Sequence, residues 1–195
     1  MLINEGFSAD RVFVICSGSV KLIASSADGR LLILRVATSG EVIGLGALTA
    51  GARHRITAVT LGPSIIKSIP RLDFLRLMRD YGEVSLGISA AMTRDYNAAV
   101  LSARRLGLCN SAAGKLASAL LDWARTNYLD DTLTHTKLPI SFAMPLTHEE
   151  LGSMAGISRE TVSRLLSKFR HEGLIDQLGQ QMILRHPDRL ENLYC

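Results

Sequence analysis

Cysteine is scarce in this sequence: three in 195 residues, Cys16, Cys109 and Cys195, with no CxxC pair. That spacing supports neither a disulfide framework nor a compact zinc site, and three thiols fall short of the four or so that an iron–sulfur cluster takes. Aromatic residues are also few, at 5%. No apolar run approaches the roughly 18 residues of a membrane span, and Met1 to Gly6 has neither the basic start nor the apolar core of a signal peptide. The expectation is a cytoplasmic chain with no membrane partner. No nucleophile–base–orienter set and no paired-ligand helix can be composed from the spacing, so no catalytic residue, metal or cofactor is expected.

What is present is an ordinary globular composition, 47% hydrophobic, which excludes disorder. Lys and Arg number 22 against 18 Asp and Glu, a net charge of +4 that permits a polyanionic partner without requiring one. The charge is unevenly placed. Residues 1–109 carry 13 basic and 8 acidic side chains, and residues 110–195 carry 9 and 10. Within that second part, Gly156 to Arg170 holds Arg159, Arg164, Lys168 and Arg170 against Glu160 alone.

From Val12 to about Pro70, short β-branched or alternating runs are separated by turn residues roughly every ten positions, with almost no helix signal. Ser19–Ala24 and Leu31–Ala37 flank Asp28-Gly29, a hairpin signal because both residues tolerate positive φ. This reads as a β-roll of the double-stranded, jelly-roll-like kind over residues 1–82. Leu72, Leu75, Leu77 and Met78 predict a short helix that breaks at Tyr81-Gly82. A long helix follows to about Leu106, inside a segment 83–109. Its Ile88, Met92, Tyr96, Ala99, Ala103 and Leu106 recur at spacings of three and four, an apolar seam. Such a seam serves either an intradomain core or a second subunit. A helix of about 36 Å outruns a small roll, which favours the second.

Gly107 to Asn110 interrupts the helix, and Asn110 or Ser111 can cap the next one, opening a domain over 110–195. Leu116, Leu120, Trp123 and Ala124 mark a buried face. Residues 127–136 read as a polar turn, and 138–144 as an edge strand because of Pro139. Thr147 and Glu150 form a capping box, Gly156 can end that helix, and Ser158 caps a second whose Val162, Leu165, Leu166 and Phe169 face the core. Two helices joined by a glycine turn are a helix-turn-helix, whose second helix enters the DNA major groove. Arg159, Glu160, Ser163 and Arg164 lie opposite the apolar stripe, where Arg can pair with guanine and Glu with cytosine. Thr147, Ser158, Thr161 and Lys168 are the candidate phosphate contacts. Leu174-Ile175 and Met182 to Leu184 flank Gly179 as a wing hairpin. The overall class is α+β.

The segment Ile157 to Leu166 resembles the recognition helix of the Crp/Fnr family of bacterial transcription regulators, and the order of roll, long helix and winged helix-turn-helix is similar across nearly the whole chain. The resemblance implies a homodimer on a palindromic double-stranded operator, with RNA polymerase as a further partner. Arg159, Glu160 and Arg164 match the base-reading set of the cyclic-AMP branch, while Glu160, Ser163 and Arg164 also match the Glu-x-x-Ser-Arg signature of the oxygen-sensing branch. The family's ligand cradle corresponds to Gly44, Leu45, Arg55 and Ile56, with Val100 and Leu101 on the long helix. Leu45 stands where that branch has a carboxylate, Ile56 where it has a hydroxyl, and Val100-Leu101 where it has a Thr-Ser pair. The implied regulator is not gated by cyclic AMP. Its alternatives are a regulator gated by another effector near Arg55 and a ligand-binding or protein-interaction module that reads no DNA. The chain is also expected to open inside the first strands of the roll, without the family's leading helix and strand. His54 is expected on a surface strand and Cys16 as a small buried strand residue, with Cys109 at a helix end.

Overall fold

The computed structural model describes residues 1–128 and 139–194, so most of the expected polar turn lies outside the described residues. Packing divides the chain into Met1–Val100 and Leu101–Cys195, with the division inside the long helix.

The first unit holds two three-stranded antiparallel sheets. In one, β1 (Arg11–Ser17) lies between β4 (Val42–Ile43) and β6 (Ile65–Pro70); in the other, β2 (Ser19–Ser25) lies between β3 (Leu31–Thr38) and β5 (Thr57–Thr60). The β2–β3 hairpin turns as expected, with Gly29 at φ 81°. Leu22 pairs with Arg35 and Ile23 with Ile33, so a bulge in β3 at Leu34 interrupts the register and shifts the phase of that strand's buried positions between Ile33 and Val36. A second irregularity explains Cys16. Ile15 pairs with Ile66 and Ser17 with Ile65, so Cys16 is the extra residue and is exposed, contrary to the buried position expected.

One helix of this unit was not foreseen. α1 (Leu45–Ala50) is a six-residue segment bracketed by Gly44 at φ 88° and Gly51 at φ 62°, both left-handed. It buries Leu45 and Leu48 against Phe74 of α2 (Arg71–Asp80) and Ile88 and Ala91 of α3 (Gly82–Leu108). α3 is held to the roll by charge as well. Arg35 donates from Nε to Asp95 at 2.8 Å and from Nη1 to Glu41 at 2.7 Å. Burial would lower the Arg35 pKa, but the two carboxylates hold it above its ordinary value.

In the second unit, Ser111 accepts from the Gly114 N–H at 2.9 Å and opens α4 (Ala112–Tyr128), whose Leu116, Leu120, Trp123 and Ala124 are buried as expected. Trp123 donates to the Ala143 carbonyl of β7 (Ile140–Ala143) at 3.0 Å. β7 is an edge strand, in the order β7, β9 (Gln181–Leu184), β8 (Ile175–Leu178). Arg105, 3% exposed, reaches Asp122 at 2.8 Å and the Ser102 hydroxyl at 3.1 Å. The remaining elements are α5 (His148–Ala155), α6 (Arg159–His171) and α7 (Pro187–Tyr194), the last with no counterpart in the sequence reading. No helix of the described residues is long and apolar enough to cross a membrane.

Candidate nucleic-acid interface

The start of α5 is the expected capping box. Thr147 Oγ1 accepts from the Glu150 N–H at 3.2 Å, and the Glu150 carboxylate accepts from the Thr147 N–H at 2.9 Å. Gly156, at φ 68°, ends the helix. Gly152 then permits the turn, because a Cβ there would stand 2.7 Å from the Ile157 carbonyl oxygen. Ser158 caps α6 by accepting from the Thr161 N–H at 3.3 Å, and shares its hydroxyl with that of Thr161 at 3.0 Å. Val162, Leu165, Leu166 and Phe169 are buried, which turns the other face of α6 to solvent.

On that face Arg159, Glu160 and Arg164 are exposed and Ser163 is half-buried. Among the described residues no hydrogen bond or ion pair ties down either arginine guanidinium. Glu160 stays an acceptor: its own backbone N–H at the helix start, then the Ser158 hydroxyl, and less strongly the Arg159 charge, hold its carboxyl below the ordinary value. Ser163 is engaged, with Oγ 2.8 Å from His148 Nδ1 and 3.2 Å from the Arg159 carbonyl oxygen. Lys168 is engaged too. Its Nζ lies 3.8 Å from Glu172 and 5.2 Å from the centre of the Tyr194 ring, which itself packs on Phe169. Sequence reasoning missed His148 and Tyr194. Pro187-Asp188, a good first turn for a helix, was the available signal for the second. β8 and β9 form the wing around Gly179 at φ 60°.

The roll residues are less concentrated. Leu45, expected to line an effector pocket, is 1% exposed and belongs to the core, because Gly44 turns the chain into α1 at that point. Arg55 is exposed, and Ile56 packs on the core built from Ile3, Ile15 and Val20. Val100 is exposed at the end of the first unit, and Leu101 belongs to the second. His54 is 7% exposed and not on the surface: its N–H and C=O pair with Phe7 and Gly6, and burial lowers its pKa against the opposing pull of Asp10. Cys109 is half-buried just past α3. Along α3, Ile88 is 6% exposed within the roll core, whereas Tyr96 is 69% exposed and Met92, Ala99 and Ala103 are exposed with it.

Two family models match side by side. Residues 1–81 match the cyclic nucleotide-binding domain and residues 114–193 the Crp-like helix-turn-helix domain. This chain belongs to the Crp/Fnr family. The cAMP-activated global transcriptional regulator CRP of Shigella flexneri is 26% identical over 184 residues, covering 94% of this chain and 84% of that one. The transcriptional activatory protein AadR of Rhodopseudomonas palustris is 26% identical over 192 residues, 98% of this chain and 77% of that protein. The structure of FixK2 from Bradyrhizobium japonicum shares the fold, with a TM-score of 0.80 at 24% identity over 100% of this chain and 92% of the other. The chain is therefore a DNA-binding transcription regulator of the Crp/Fnr type, a family that binds DNA as dimers and comprises regulators, not enzymes.

Proposed function

We propose that this Crp/Fnr regulator acts in the cytoplasm as a homodimer on a palindromic operator, reads base edges with Arg159, Glu160, Ser163 and Arg164, and needs no cyclic nucleotide. The observation that carries the reading is the pair of unengaged guanidinium groups at the start of α6, exposed opposite a fully buried stripe. Ser158 and Thr161 cap that helix start, Thr147 caps the start of α5, and all three suit phosphate contacts. Lys168 suits one only after leaving Glu172 and Tyr194. Bound DNA would present the regulator to RNA polymerase. On an operator selected from random duplexes, Arg159→Ala and Arg164→Ala are each expected to cost about 1–3 kcal/mol and to relax preference at one base pair. Binding should weaken steeply with salt as phosphate neutralisation releases counterions. Wild-type affinity and base preference in both variants would assign the reading face elsewhere.

The same reading makes a second expectation. A cyclic nucleotide near Arg55 would find Leu45 and Ile56 committed to apolar packing. Each ligand polar group left unpaired costs about 1–3 kcal/mol. Titration calorimetry with cyclic AMP or cyclic GMP should show no heat at physiological nucleotide concentrations, and operator binding should be the same without them. A micromolar dissociation constant would restore a nucleotide-gated regulator.

A further inference from the structure

Ser163 sits one turn into α6, between the two reading arginines. Its hydroxyl oxygen is 2.8 Å from Nδ1 of His148, the first residue of α5, and 3.2 Å from the carbonyl oxygen of Arg159. A serine hydroxyl has one proton and two lone pairs. In one arrangement the proton goes to the Arg159 carbonyl and His148 donates its Nδ1–H to the oxygen. In the other the hydroxyl donates to a bare Nδ1. Either way the single proton is used inside the protein, and only lone-pair capacity is left for DNA.

We infer that Ser163 reads DNA as a hydrogen-bond acceptor only, that His148 is the positioning residue that keeps it so, and that Ser163 therefore selects adenine or cytosine at the base it faces. Those two bases present an exocyclic amine in the major groove, N6 or N4, whereas thymine and guanine present a carbonyl oxygen there. Every base pair shows its amine on one strand only. Ser163 thus sets the orientation of a base pair and is indifferent to whether it is A·T or G·C. The inference rests on the assignment of α6 as the reading helix. It adds a rule that the neighbouring arginines do not supply, since they only donate, whereas Glu160 is an acceptor through its charge.

The test is selection from a randomised duplex library with the wild type, Ser163→Ala, His148→Ala, His148→Asn and Arg164→Ala. Ser163→Ala should relax preference at one position, where the wild type favours adenine or cytosine over guanine or thymine roughly three- to tenfold, the worth of one hydrogen bond. His148→Ala removes the 2.8 Å partner and leaves the hydroxyl only the longer contact to the Arg159 carbonyl, so it should turn outward part of the time and admit guanine and thymine at that position alone. His148→Asn, whose amide can meet the same oxygen, should keep the wild-type preference. A wild-type preference for guanine or thymine there, no shifted position in Ser163→Ala, or an unchanged profile in His148→Ala would overturn the inference. If Arg164→Ala also shifts nothing, the reading-helix assignment fails with it; if Arg164→Ala shifts a position and Ser163→Ala does not, the acceptor rule alone fails.

Discussion

Replacing Asp122 by alanine is expected to destabilise the second unit by about 3–5 kcal/mol, because it leaves the Arg105 guanidinium buried without its countercharge. Arg105 is already under-satisfied, since its Nε has no partner among the described residues. Burial lowers the Arg105 pKa and raises that of Asp122, in each case against the attraction of the other, so desolvation outweighs the pairing. It follows that Arg105→Met combined with Asp122→Leu should be near neutral or stabilising while the single Asp122→Ala is severe. Denaturant titrations of the three proteins give the answer even if the single variant fails to fold. An Asp122→Ala protein within 1 kcal/mol of wild type would sink the account. The pH dependence has a definite sign. A carboxyl whose folded pKa is raised binds its proton more tightly when folded, so its contribution is full below the unfolded value of about 3.9 and is lost as pH rises through the folded value. The double variant should lack that loss.

The second large effect concerns assembly. Two recognition helices reach successive major grooves only if a two-fold axis spaces them by about 34 Å. Exposed apolar side chains along α3, Met92 and Tyr96 with Ala99 and Ala103, are the proposed dimer surface, and Ile88 is not part of it because it is spent in the roll core. Met92→Glu with Tyr96→Glu should leave the fold intact, give monomers by light scattering, and weaken operator binding by a factor on the order of 10² to 10⁴ as the second half-site ceases to be tethered. Ile88→Glu should instead unfold the roll. A double variant that stays a tight dimer would place the interface on another face.

The parts of the fold that were legible in the sequence are local. Thr147 and Glu150 stand three residues apart, Gly156 and Ser158 punctuate one turn, and the α6 stripe repeats at helical spacing, so each signal fits inside a short window. α1 was hidden because its six residues lie between two glycines that read as turns, and its Gly46 weakens the pattern further. Cys16 was misplaced because a bulge is a property of two paired strands and leaves no trace in one of them. The same limit covers side-chain partners. Arg35 finds Asp95 sixty positions away, Arg105 finds Asp122, and Lys168 finds Tyr194, none of them implied by spacing. At the reading face the residue types were legible, but the engagement of Ser163 by His148 was not, since it depends on how α5 crosses α6.

That crossing is set by Gly152, where α5 meets the Ile157 carbonyl of the turn into α6 backbone to backbone, with room for a hydrogen atom and nothing larger. A contact so close leaves little play, so the two helices approach DNA as one stiff piece and surrender little conformational freedom on docking. Stiffness also moves the burden of adjustment. If an operator's half-sites are slightly mis-phased or its groove is the wrong width, the reader cannot flex to meet them. The duplex must bend or twist instead, and sequences that deform easily at positions the protein never touches gain the advantage.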